Sequence, residues 1–299
     1  MTNQRSIHTR WQFILAALVV VAGFAVQVIR QPTSAEGLLR MTVLDIGQGD
    51  AILVDFPDGE HMLVDAGPHD AVMPALARDL APPEEFALLV ATHNDADHIG
   101  GFPAVLDHYP SQEIWISGAI HTTATYQRWL DAMQASNAHV QVVSSGYTES
   151  FGEVRISVLF PLDSQVGVRP ENNNDTTIVI KIQYGAAGIL LTGDLDSEHE
   201  DKIIAAHSAE LPSQVLKVTH HGSKYGTSSR FLNYVQPKIA LISVGKDNRY
   251  GHPHQELLDR LSARAIPTYR TDESGDLTIF TNGALIWYES GQTGRQLVE

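Results

Sequence analysis

The chain has 299 residues, 43% of them hydrophobic, enough for one large domain or two ordinary ones around a substantial core. A formal net charge of −15 opposes nucleic-acid phosphates over the surface as a whole, so a phosphate-bearing substrate needs a local positive site of metal ions, lysines or arginines. The absence of cysteine excludes disulfides, thiolate ligands and a cysteine nucleophile, and 14 histidines leave imidazole plus carboxylate as the ligand chemistry.

Residues 1–10 carry Arg5 and Arg10, and 11–30 form an apolar run, "WQFILAALVVVAGFAVQVIR". Its core, Phe13 to Ile29, spans about 26 Å as a helix, usable for a bilayer. Trp11 suits the interface, and the preceding arginines favour an inside N-terminus. The run shows no amphipathic stripe, which argues against a buried core helix. It is therefore expected to be an uncleaved membrane anchor, with a signal peptide cleaved near Ser34-Ala35 as the alternative. Both place the rest of the chain outside the cytoplasm.

Residues 31–38 read as a linker, 39–290 as one domain and 291–299 as a tail. The domain opens with three strands, "RMTVLDIG", "DAILVDF" and "HMLVDAG", joined by turns too short for a crossover. A helix (about 71–80), the strand "FALLVAT", a helix from Gly101, "EIWISG" and a helix around 126–134 follow. The β-rich stretch "VQVVS", "VRISVLF", "TIVIKIQY" and "GILLTGD" comes next. Helix 198–207, strand "QVLKVTH", a helix, strand "IALISVG", helix 255–263 and a final hairpin with "GDLTIFTNG" complete it. Meanders at both ends with helices between predict an α/β fold, an αββα sandwich of two sheets faced by helices.

Four polar clusters share one grammar, an apolar strand running into polar residues and glycine: "ATHNDADHIGG", "LLTGDLD", "LKVTHHGSKYGT" and "SVGKDNRYGHPH". Strand ends fix a backbone while the loop exposes the side chain, which suits functional groups. His93 and Asp95 are two apart and point the same way in extended backbone. Asp97 and His98 follow as the chain turns, and can face a second point nearby. Two metal ions about 3.5–4 Å apart use such a layout and let the carboxylates coexist. An Asx-rich loop capping the next helix accounts for Asp97 but not for both histidines. Asp194 ends a buried strand, placed to bridge two ions, while Asp196 fits the N-cap of the next helix. His220 and His221 diverge in extended backbone, so one is expected to bind metal and the other to donate a proton or hydrogen bond. His207, on a polar helix face, reads as solvated.

These motifs, with "LDIGQGDAILV", "LVDAG" and "NNNDTTIVI", resemble in order the C-terminal metallo-β-lactamase-like domain of the ComEC competence proteins, over residues 40 to about 288. "HNDADH" is similar to the HxHxDH signature of the wider fold, with Asp95 where the second histidine stands. The resemblance implies a metal-dependent hydrolase in which His93 and Asp95 hold one ion, Asp97 and His98 another, Asp194 bridges, and His220 or His221 completes the second site. The wider fold carries one more histidine before the bridging aspartate. Here His108, His121 and His139 lie in that interval, none in a matching motif, and His121 is the one expected near the site edge. Asn173, Asn174 and Asp175 fall in a polar motif that is expected to line the site. Asp45, Asp50 and Asp65 are read as groups orienting ligands, or as turn formers.

The cofactors expected are two divalent ions, zinc or manganese, since Asp95 brings an oxygen ligand. Asp97 would orient the nucleophile and His221 would serve as the catalytic histidine. Lys224 and Arg249 would meet a phosphate, or else be solvated surface cations, and His252 would support substrate or ligands. The chain is thus expected to be a stand-alone, membrane-anchored phosphodiesterase, DNA being one substrate. A small phosphodiester, a phosphocholine, a lactone or another ester in the envelope is the alternative, and a tethered binding module the third reading. Fusing residues 1–38 to alkaline phosphatase is expected to give periplasmic phosphatase activity, and a silent fusion refutes the export expectation.

Overall fold

In the computed structural model, residues 37–80 and 84–298 are described. The run Phe13 to Ile29, expected as an anchor or signal helix, lies outside them. Among the described residues no helix is long and apolar enough to cross a membrane.

Two sheets stack face to face. The first takes β1 (Leu39–Val43), β2 (Ala51–Asp55), β3 (His61–Ala66), β4 (Phe86–Val90), β5 (Ser111–Ile116) and β6 (His139–Val142). The second takes β7 (Thr148–Phe151), β8 (Val154–Phe160), β9 (Val179–Tyr184), β10 (Ala187–Leu191), β11 (Val215–Lys217), β12 (Ile239–Ile242) and β13 (Thr268–Arg270). The chain then returns to the first sheet as β14 (Leu277–Thr281), β15 (Ile286–Ser290) and β16 (Thr293–Leu297). The orders are β16-β15-β14-β1-β2-β3-β4-β5-β6 and β13-β12-β11-β10-β9-β8-β7. Each sheet is antiparallel in its meander and parallel where helices intervene, along β3-β4-β5-β6 and β10-β11-β12-β13.

Alternation along the strands builds three layers of core. Met62, Val64, Leu88 and Val90 face between the sheets against Ile180, Ile182, Ile189 and Leu191. Their neighbours Leu63 and Leu89 face outward onto Leu76, Phe102, Val105 and Trp129 of the helices 73–79, 102–108 and 124–135. Leu190, Leu216 and Ile242 do the same on the other side against Ile203, Phe231, Leu232 and Leu257. Strands buried on both faces read as continuous apolar runs, which is why "FALLV" and "AGILL" signal so clearly. The expected αββα order is what results.

Four departures have local causes. Thr293–Leu297, read as tail, pairs with β15 as an edge strand; its sequence TGRQL is polar because the strand is mostly exposed. β7 and β13, four and three residues long, carry too short a pattern to be read from the sequence. Where the chain is expected to turn after Asp95, ahead of the helix from Gly101, it forms a single helical turn, Ala96–Ile99. His207 is not solvated: its Nε2 is 2.6 Å from Ser145 Oγ and its Nδ1 2.9 Å from Glu210.

Phe102 is fully buried and stacks on Trp129 with ring centroids 4.6 Å apart, tying the helix that follows the "HNDADH" turn to its neighbour. Phe102→Ala is expected to lower the unfolding free energy by about 3–5 kcal/mol in urea denaturation; a loss below about 1 kcal/mol would mean that this layer carries little of the fold.

Candidate metal centre

The ends of β3, β4, β10 and β11 open onto one point. Four imidazole nitrogens surround Asp194 Oδ2: His98 Nε2 at 3.4 Å, His221 Nε2 at 3.6 Å, His220 Nε2 at 3.7 Å and His93 Nε2 at 3.9 Å. Asp95 Oδ2 is 3.5 Å from His93 Nε2, and Asp97 Oδ2 is 3.4 Å from His221 Nε2. His93, His98, His221 and Asp194 are almost wholly buried, whereas Asp95 and Asp97 border solvent.

Each buried ring is held through its other nitrogen. Asp65, left-handed at φ 57 at the end of β3, accepts from the Thr92 amide at 2.8 Å and from the Thr92 hydroxyl at 2.7 Å. Its Oδ2 also accepts from His98 Nδ1 at 2.8 Å. Since the Thr92 hydroxyl donates to Asp65, it accepts from His93 Nδ1 at 3.0 Å. His221 Nδ1 donates to the Ser243 carbonyl at 3.0 Å, with Asp50 Oδ1 at 3.3 Å. With Nδ1 engaged outward, all three rings turn Nε2 inward, where the loss of a proton frees a lone pair, the arrangement by which second partners orient metal-ligating histidines. Among the described residues, the Nε2 atoms of His93, His98 and His221 and Asp194 Oδ1 have no hydrogen-bond partner, although buried. Buried lone pairs aimed at one point suit divalent cations.

The electrostatics agree. Burial alone raises the carboxyls, but His98 and His221 beside Asp194 hold it well below the usual carboxylate range, and they hold Asp97 low as well. Burial opposes charge on the rings too, yet Asp194 with Asp65 pushes His98 well above its ordinary value. Asp194 with Asp50 raises His221 to about 10. His220 goes the other way: burial and the neighbouring imidazoles outweigh Asp194, so it stays neutral.

The structure sorts the expected residues. His220 and His221 do not diverge. Both sit in left-handed backbone, φ 49 and 52, inside a tight turn, and that curvature aims both rings at Asp194. His221 is the buried partner of Asp97 and His98; His220 is the more exposed, reaching Asp194 with its Nε2 and packing against His252. Asp95 stands at the N-cap position of its helical turn without capping it, and accepts from Asn173 at 2.5 Å instead. Asn174 reaches His220 Nδ1 at 3.3 Å. Asp196 does cap, accepting from the amides of Glu198 and His199.

Others fall away from the centre. Asp45 is a turn former, in contact with Gly47 and Asp276. Asp175 belongs to a side cluster with Asp196 and His199. Lys224 is not aimed at the site: its Nζ lies 3.5 Å from Glu256 and 5.5 Å from the Tyr225 ring. His121 is half exposed and bonded to Thr123 at 3.1 Å, while His108 caps into its own helix and His139 lies on an edge strand, so none supplies the missing histidine.

Arg249 and His252 stay close. Arg249 lies over Tyr250 and, with Gln48, Asn248 and Asp97, lines an open cleft of about 470 Å³. His252 packs edge-on against His220 with centroids 5.4 Å apart, and burial with the surrounding imidazoles lowers it to about 4. The loop is laced by Asn248, which accepts from the amides of Tyr250 and His252 and donates to the Gly245 and His252 carbonyls.

Two glycines explain the "DIGQGD" motif. A Cβ on Gly49, at φ 130, would stand 2.3 Å from the Asp97 carbonyl, and one on Gly245 2.6 Å from the Gln48 amide. The Asp50 amide uses that proximity to donate to the Asp97 carbonyl at 3.1 Å. The motif thus braces the ligand turn. Sequence reasoning missed Lys217, fully buried and bonded to Asp50.

The family model described as "Metallo-beta-lactamase superfamily" matches residues 44–246. ComE operon protein 3 of Bacillus subtilis is 30% identical over 262 residues, 82% of this chain and 33% of that protein. Competence protein ComA of Neisseria gonorrhoeae is 32% identical over 268 residues, 87% of this chain and 35% of that protein. The chain spans about a third of the length of these relatives. The metallo-β-lactamase fold protein YhfI of Bacillus subtilis superposes with a TM-score of 0.50 at 14% identity, covering 81% of this chain and all of YhfI, a likeness of fold.

His221, raised to about 10 in the metal-free protein against an ordinary value near 6.5, stabilises the folded state fully below pH 6.5 and loses that contribution as pH climbs through 10. A cation must displace its proton. Titration calorimetry of Zn²⁺ or Mn²⁺ at pH 7 in two buffers of different ionisation enthalpy is expected to show proton release, with affinity rising with pH; binding without proton release contradicts the assignment.

Proposed function

The chain belongs to the metallo-β-lactamase superfamily, and from that premise we propose that it is a metal-dependent phosphodiesterase using two divalent ions, zinc or manganese. The observation that carries this reading is the convergence of buried, unpartnered lone pairs of His93, His98, His221 and Asp194 on one point. His93, Asp95 and His220 would hold one ion, and Asp97, His98 and His221 the other, with Asp194 between them. His220 thereby takes the place of the histidine that the wider fold carries upstream. Turning the Asn174 amide so that its oxygen accepts the His220 Nδ1 proton leaves Nε2 a lone pair for that role. Asp50, Asp65, Asp95, Asp97 and Asp194 set five carboxylates around the centre, and two divalent ions with Lys217 offset all five.

Bound there, the ions supply Lewis acidity toward a phosphoryl oxygen and a water acidified toward neutral pH. The residues do the rest. Asp97, ionised and partly open to the cleft, accepts a hydrogen bond from the attacking water and fixes its direction. Arg249, at the outer wall of the same cleft, receives a phosphate oxygen. His252, neutral beside His220, accepts or relays a hydrogen bond at the mouth.

The relative named as competence protein ComA supports DNA as the polymer. The apolar run 13–29 supports a placement on the outer side of a membrane, with residues 39–298 as the catalytic domain. A small phosphodiester or other ester in the envelope is the second reading, favoured by the −15 charge and by a cleft whose lining, among the described residues, carries one cation, Arg249. The full chain is expected to cleave bis-p-nitrophenyl phosphate and single-stranded DNA with added Mn²⁺ or Zn²⁺; cleavage of the first alone leaves the small-substrate reading. His98→Ala is expected to lose one ion and at least about 100-fold in rate, and Asp65→Asn about 10–100-fold in metal affinity. Unchanged metal stoichiometry and rate in His98→Ala would refute the site.

A further inference from the structure

Lys217 is the only lysine or arginine among the buried side chains of the described residues. It ends β11, the strand that leads into the His220-His221 turn, and its ammonium donates to Asp50 Oδ2. Asp50 comes from the far side of the sandwich, just before β2, and is itself 1% exposed. Replacing a buried ion pair by apolar side chains of similar volume is commonly neutral or stabilising, so stability alone does not account for one here.

The pair's other contacts do. The second Asp50 oxygen lies 3.3 Å from His221 Nδ1, which donates to the Ser243 carbonyl at 3.0 Å. The Asp50 amide donates to the Asp97 carbonyl at 3.1 Å, and its carbonyl accepts from the Gly67 amide at 2.8 Å. The Ser243 hydroxyl donates to the neighbouring Gly49 carbonyl at 2.7 Å. One residue thus meets His221 through its side chain and the Asp97 turn through its backbone, and Lys217 fixes which carboxylate oxygen remains for the histidine.

We propose that Lys217 and Asp50 are positioning residues for the half of the centre formed by Asp97, His98 and His221. The ammonium anchors Asp50. The nearby Asp50 charge favours the His221 proton on Nδ1, where the Ser243 carbonyl accepts it, and so turns Nε2 toward Asp97 and Asp194, while the Asp50 amide braces the Asp97 turn. Neither residue touches substrate. The His93 and Asp95 half is held by Thr92 and Asn173 and, among the described residues, has no hydrogen bond or ion pair to Lys217 or Asp50. This inference rests on the reading of His221 as a metal ligand.

The test titrates Mn²⁺ and Zn²⁺, each alone, into the metal-free full chain, with stoichiometry from elemental analysis and the melting temperature followed in parallel. The double variant Lys217→Met with Asp50→Leu removes both charges. It is expected to melt close to the parent when metal-free, yet to bind one of the two ions about 10–100-fold more weakly and the other unchanged. Asp50→Asn, nearly isosteric and still able to accept from Lys217, is expected to show the same selective loss and guards against a double variant that does not fold. A purely structural pair would lower the melting temperature and leave both affinities as they were, which overturns the proposal, as does equal weakening of both ions. A parent chain that binds no ion overturns the metal reading as well; ions bound by the parent and untouched in Asp50→Asn overturn the positioning role alone.

Discussion

Like charges buried together in a poorly polarisable interior repel strongly, and everything about this centre is arranged around that fact. Asp50, Asp65 and Asp194 are almost completely removed from water within a few ångströms of one another, and Asp95 and Asp97 close the circle. No hydrophobic packing makes such a cluster tolerable. It requires positive charge at its middle, from protonated imidazoles when empty of cations or from the cations themselves. The raised His98 and His221 and the lowered Asp97 and Asp194 are two views of this single demand.

The sandwich meets that demand by delivering residues rather than by shaping a cavity. Every residue of the cluster stands at or just beyond the end of a strand, so its backbone is fixed before its side chain reaches inward. The first sheet contributes Asp65 from β3 and the "HNDADH" turn after β4; the second contributes Asp194 after β10 and the paired histidines after β11. Two first-sheet loops meet with almost no clearance at Gly49, and a loop from each sheet at Gly245, which is why those positions admit no side chain.

Much of this was legible in the sequence because local features encode it. Alternating and continuous apolar runs gave the sheets, and ligands contiguous along the chain, such as His93 to His98, announced themselves as a cluster. What stayed hidden depended on features that no local pattern carries. Adjacent histidines look divergent until both φ angles prove positive. A lysine in "QVLKVTH" looks like a solvent-facing residue of a strand, since its partner Asp50 lies 167 positions away. Lys224 had the right neighbours in sequence and the wrong direction in space. Edge strands such as Thr293–Leu297 are polar because they are exposed, and so resemble a tail.

The candidate ligands of this centre are scattered from residue 93 to residue 221 and drawn from both sheets, so no fragment of the chain can assemble the cluster by itself. Such long-range closure is late and slow in folding. Cation binding at such a centre would be coupled to the integrity of the whole sandwich, and saturating metal would shift the folding equilibrium of the entire domain by mass action. The domain's lifetime against proteases would then follow the concentration of free metal around it, rising and falling with supply before any substrate is met.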